Sequence, residues 1–120
     1  MLHNLSISLN SEENPLKMIR IVLCTCPDEG TARSLAEGLM EERLAACVNI
    51  VPGIKSVYRW EGEIREDTEV MLLIKTTAEG FPRVRDYLVN AHPYELPEVI
   101  ALPIEQGYQP YLDWVSTHGK

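Results

Sequence analysis

The chain has 120 residues, 45% of them apolar and 24% charged, which suits one globular domain and leaves too little for two well-buried cores. Eleven basic residues against eighteen acidic ones give a net charge of −7, and no Lys/Arg cluster stands out, so a nucleic-acid partner, whose phosphates reward concentrated positive charge, is not expected. Three cysteines are an odd number in a chain able to build a core, which argues for a reducing cytoplasm rather than a disulfide framework.

Residues 1–17, MLHNLSISLNSEENPLK, lack the basic start and apolar segment of a secretion signal and are expected to be a polar, mobile extension ahead of a single domain over 18–120. No run approaches the ~20 apolar residues that cross a bilayer. Residues 18–25, MIRIVLCT, form a β-branched run closed by Pro27 and predict a largely buried strand. Asp28 is a suitable N-cap for a helix over 29–44, whose apolar residues Ala32, Leu35, Ala36, Leu39, Met40 and Leu44 recur at helical spacing. Residues 47–60, CVNIVPGIKSVYRW, are strand-like throughout, with Pro52 and Gly53 marking a bulge. Glu61 and Gly62 make a turn, and 69–76, EVMLLIKT, returns as a strand.

At about 3.3 Å per residue the arms of this hairpin reach on the order of 40 Å, twice an ordinary strand. An arm that outruns its sheet leaves backbone donors and acceptors to be covered, and pairing with another subunit is the economical cover. A second helix is predicted over 79–90, with Phe81, Val84, Tyr87 and Leu88 on one side and Pro82 tolerated in its first turn. HPYELP reads as a stiff loop, EVIALPI as a fourth strand and PYLDWVSTH as a short terminal helix. The order βαββαβ plus a tail helix predicts an α+β, ferredoxin-like sandwich with a long hairpin.

The blocks LCTCPDE, LAACVNIVPGIKSVYRWEGEI, EVMLLIKTT and HPYELPEVIALPI, in this order and spacing over residues 19–117, resemble those of the CutA divalent-cation tolerance proteins. The resemblance implies a non-catalytic, ferredoxin-like homotrimer joined through extended edge strands and linked to tolerance of copper and other divalent cations. It also implies a copper site built from a cysteine at the end of the first strand, here Cys24, and a histidine pair before Pro-Tyr. The second histidine is His92; the first is Ala91 here, and Cys26, two residues on from Cys24, is the residue expected to replace it.

The residues themselves allow that set to meet. Strand and helix directions place the end of the first strand and the loop after the second helix at one end of the sheet, with Cys47 at the other, where it reads as a small packed hydrophobe. Alternation divides Ile19, Ile21, Leu23 and Thr25 from Arg20, Val22, Cys24 and Cys26. Assigning the first set to the helix-packed face puts both thiols on the open face, where Lys75 is also expected and would favour thiolate. Soft thiolates with imidazole suit copper or zinc. The plainer alternative is that the thiols are packed strand residues and His92 ends the second helix. Tyr58, Trp60 and Glu61 at the hairpin tip, with Lys75, Glu95 and Glu98, are expected either to line a pocket between subunits or to be a solvated tip. A PII-like module holding a small anion between subunits is a second functional reading, although no glycine-rich phosphate loop is present. No Ser-His-Asp set or three-ligand metal motif points to an enzyme.

Overall fold

β1, Ile19–Cys26, lies at the centre of a four-stranded sheet in a computed structural model that describes residues 14–119. Most of the expected N-terminal extension, residues 1–13, lies outside the described residues, and Pro15–Lys17 forms a short 3-10 turn leading into the sheet. After β1 come α1 (Glu29–Glu41), β2 (Cys47–Trp60), β3 (Glu63–Thr77), α2 (Phe81–Ala91), β4 (Ile100–Pro103) and α3 (Gln109–His118). The sheet order is β2-β3-β1-β4, and each pairing is antiparallel. This is the ferredoxin-like α+β plan expected from the element order.

The main core lies between the sheet and the helix pair α1 and α2. Val22, Cys24, Cys26, Val70, Leu72 and Ile74 meet Leu35 and Leu39 of α1 and Val84 and Leu88 of α2. The strand residues come from alternate positions and the helical ones from positions three or four apart, the two periodicities that let a strand and a helix bury a common face. The expected parity of β1 is therefore reversed: Val22, Cys24 and Cys26 belong to the helix-covered face. The misassignment has a physical cause. α3 packs Val115 on Ile19 and Ala46 in a smaller cluster, so β1 has apolar residues on both faces and alternation alone does not say which one the main helices cover.

α1 starts where Asp28, in extended conformation, accepts a hydrogen bond from the Thr31 amide at 2.7 Å, an interaction that holds its carboxyl below the usual range. It ends at Glu41 rather than at Leu44, because Arg43 turns left-handed (φ 58°) and the Leu44 amide reaches back to the Leu39 carbonyl at 2.9 Å.

β2 and β3 pair along their whole length apart from a register shift between Val51 and Ile54, where Pro52 and left-handed Gly53 (φ 79°) sit. Beyond that bulge the two strands run on as a ribbon from Ile54↔Glu69 to Trp60↔Glu63. Glu61 and Gly62 close it, both with positive φ (51° and 82°), as a two-residue hairpin turn requires. β3 thus begins six residues before the expected Glu69. EIREDT is exposed on both faces and carries no apolar alternation by which a strand could be read. The ribbon gives the molecule its long dimension of 62 Å against 28 and 22 Å. Among the described residues no helix is long and apolar enough to cross a membrane.

α1 and α2 approach each other where Gly38 faces Tyr87: a Cβ at Gly38 would lie 1.6 Å from the Tyr87 hydroxyl and 2.6 Å from the ring carbon that bears it. Alanine is ordinarily the better helix former by about 1 kcal/mol. At this position it must displace a half-buried ring, and overpacking of that kind costs about 1–3 kcal/mol. Gly38→Ala is accordingly expected to lower the melting temperature, and Tyr87→Leu in the same chain to recover most of the loss; a Gly38→Ala protein more stable than the parent in thermal denaturation would refute this packing.

Candidate functional site

Two adjoining features occupy the end of the sheet where β1 stops. The first is a buried cluster on the helix-covered face. Cys24 and Cys26 are both fully buried among Leu72, Val70 and the helical core residues, opposite Leu72 and Val70 in register. Pro27 and Asp28 then lead into α1, so the second thiol is the last side chain of the strand. His92 follows the last residue of α2, where its amide donates to the Leu88 carbonyl at 2.9 Å before the chain turns extended. Its ring is buried, with Nε2 2.8 Å from the Thr25 carbonyl oxygen and Nδ1 3.1 Å from the Tyr94 amide. A carbonyl can only accept and an amide N–H can only donate, so the proton must sit on Nε2 and the lone pair of Nδ1 receives the Tyr94 amide. The helix end places His92, as expected, and its ring is tied by two backbone hydrogen bonds.

The two sulfurs and an imidazole nitrogen all lie within 4.8 Å of one another. Ligands about 2.3 Å from a common ion sit at most about 4.6 Å apart, so the donor set needs little contraction to share one. Cys24 donates to Cys26, which together with burial and the nearby carboxylates Glu98 and Glu69 pushes its ionisation far above the ordinary thiol range. Cys26 accepts that hydrogen bond and shifts the other way, against burial and the charges of Glu69 and Asp28.

Lys75 does not join them. It is on the open face, paired in register with Ile21 and Cys47 at the far end, where its ammonium donates to Asn49 Oδ1 at 2.6 Å and lies 6.0 Å from the centre of the Tyr111 ring. The expected support of a thiolate by Lys75 is thereby removed, since the sheet itself lies between them. Cys47 is at the far end as expected, though half-buried rather than fully packed.

The second feature is a cleft of about 420 Å³ on the open face. Its floor is Thr25, the residue between the two thiols, with Glu69 and Asp67 of β3 and Ser56 of β2. Its outer wall is the ribbon, through Tyr58, Trp60 and Arg65, and its lid is the α2–β4 loop, through Tyr94, Glu95, Leu96 and Glu98. Of the predicted pocket, the structure brings together Tyr58, Trp60, Glu95 and Glu98. Glu61 is left at the hairpin tip, 3.9 Å from the Arg65 guanidinium. Lys75 is six residues along β3 from Glu69, roughly 20 Å at about 3.3 Å per residue.

Glu69, Asp67 and Tyr94 carry the character of the cleft and were not foreseen. Glu69 is 7% exposed and accepts a 2.5 Å hydrogen bond from the Tyr94 hydroxyl. Burial, then that bond, raises the Tyr94 phenol well above its ordinary value. The Tyr58 hydroxyl donates to Asp67 in the same way. Tyr94 also packs against the His92 ring, with centroids 4.7 Å apart, so one short loop forms the lid of the cleft and holds the imidazole of the cluster.

A family profile described as CutA1 divalent ion tolerance protein matches residues 20–118. The chain is 54% identical over 98 residues to the divalent-cation tolerance protein CutA of Thermus thermophilus, covering 82% of this chain and 95% of that protein. It is 53% identical over 91 residues to human protein CutA, covering 76% of this chain and about half (51%) of the human one. The solved Thermus thermophilus structure superposes with a TM-score of 0.83 at 51% identity, covering 86% of this chain and 100% of that one. CutA1 of Oryza sativa gives 0.84 at 40% identity, covering 89% and 98%. The chain therefore belongs to the CutA1 family of divalent-ion tolerance proteins.

Proposed function

We propose that this protein is a non-catalytic homotrimer of the reducing cytoplasm that binds copper through Cys24 and Cys26, with His92 as third ligand. The observation that carries this reading is the convergence of the two thiols and the imidazole within 4.8 Å in a buried site. Two thiolates and an imidazole are a soft donor set and suit Cu(I) better than a hard ion such as Mg²⁺. Cys26 takes the place that the family resemblance gives to the residue at Ala91. Ligation by Nε2 requires that its proton leave and the bond to the Thr25 carbonyl be given up, so His92 is the ligand recruited last. Both sulfurs must also be deprotonated, and protons compete with the ion.

The trimer is supported by the ribbon. β1 ends opposite Val70, and the β2–β3 pair continues beyond it with Val57 64% and Ile64 70% exposed. β4 is only four residues long, and its open-face neighbourhood leaves Ile100 and Leu102 half-exposed. Edge pairing between subunits would satisfy the outer backbone groups and cover these side chains. A small anion between subunits is the weaker reading, because the cleft brings four carboxylates against one guanidinium.

Sedimentation at micromolar concentration should give a single trimeric species; a folded, stable monomer would remove the role assigned to the ribbon. In Cu(I) competition titrations, Cys24→Ser is expected to weaken binding by about tenfold or more, while Cys47→Ser leaves affinity unchanged and alters stability instead. Affinity for the parent protein should fall as pH falls, since thiols and imidazole hold their protons more firmly. Undiminished copper binding by Cys24→Ser would make the thiols ordinary core residues.

A further inference from the structure

We propose that the open-face cleft binds a small organic ammonium ion at a site separate from the thiol cluster, a proposal that does not rest on that cluster taking copper. Glu69 is the starting point. It is 7% exposed, it lines the cleft, and none of the ion pairs among the described residues reaches it; its hydrogen bond comes from a neutral phenol. A buried carboxylate is ordinarily paired with a cation, and here the space beside it is an open cavity. Asp67, Glu95 and Glu98 add negative charge to the same cavity. Arg65, its single cation, is turned toward the ribbon tip, 3.6 Å from Glu63 and 3.9 Å from Glu61.

The walls choose between kinds of cation. Tyr58, Trp60 and Tyr94 all line the cleft, and both phenol hydroxyls are committed to carboxylates, Tyr58 to Asp67 and Tyr94 to Glu69. Those bonds fix the rings and leave their faces as the contact surface. Aromatic faces with carboxylates behind them recognise alkylated or primary ammonium groups through cation–π attraction and apolar contact. A hydrated divalent metal gains little from such walls and asks instead for a shell of oxygen ligands. An anion meets four carboxylates. The volume of about 420 Å³ is that of a small-molecule site.

The test uses the full chain in its native assembly, with tetramethylammonium and 1,4-diaminobutane as probes at constant ionic strength. Trp60 fluorescence is read in a Trp114→Phe background, since these are the two tryptophans, and calorimetry supplies a second readout. Saturable binding is expected, weakened about fivefold or more by Glu98→Gln and by Glu69→Gln, and by Trp60→Ala in calorimetry. The neutral alcohol 3,3-dimethylbutan-1-ol, whose tert-butyl group resembles tetramethylammonium in shape but carries no charge, should not bind, and Cys24→Ser should bind the ammonium probes like the parent. Absence of saturable binding would overturn the proposal. Parent-like affinity in either glutamine variant, or displacement of the probes by Mg²⁺ at lower concentration than their own, would also overturn it.

Discussion

The arrangement depends on a mismatch of strand lengths. β1 stops at Cys26, opposite Val70, while its partner β3 extends to Glu63 with β2 beside it. A strand that ends while its neighbour continues leaves three things at one place: a side chain at the edge of the core, an open step in the sheet, and a ribbon with unpaired outer edges. The thiols occupy the first, the cleft the second, and the proposed subunit contacts the third. Pro27 enforces the stop, since it has no amide to donate, and Asp28 converts it into the start of α1.

The α2–β4 loop ties these features together. Its first residue, His92, spans the end of β1 by bonding the Thr25 carbonyl, and the next but one, Tyr94, returns an amide to His92 and a hydroxyl to Glu69. Each of these is a buried or half-buried polar group with a partner, as burial demands. Displacing the ring from Thr25 would therefore loosen the loop that forms the lid of the cleft.

Element order and the long hairpin were legible because they rest on patterns with one reading: apolar helical spacing in α1 and α2, Pro52-Gly53 as a bulge, Glu61-Gly62 as a turn. The assignment of faces was not legible. β1 carries Ile19, Ile21 and Leu23 on one side and Val22, Cys24 and Cys26 on the other, and both sides are apolar because α3 covers part of the face that bears Ile19 while α1 and α2 cover the other. The polar half of β3 was invisible because a ribbon exposed on both faces is held by backbone pairing, which any side chain permits. The end of α1 is set by Arg43 in a conformation usually signalled by glycine. At the site, the family resemblance singled out Cys24 and His92, and strand and helix directions placed them with Cys26 at one end of the sheet, where the structure brings the three together. Glu69 and Tyr94 were missed for lack of a local signal: they are 25 residues apart, and only the folded sheet makes one the partner of the other.

The thiol cluster and the cleft lie on opposite faces of one strand, with Thr25 belonging to the cleft and its two neighbours to the core. The sheet keeps their ligands apart but does not isolate them electrostatically. Glu98 and Glu69, which line the cleft, are among the charges that hold the Cys24 proton in place, after its hydrogen bond to Cys26 and burial. Interactions across a low-dielectric layer are weakly screened. A positive charge held against those carboxylates offsets part of their field at the sulfur and so favours the thiolate that a soft metal needs.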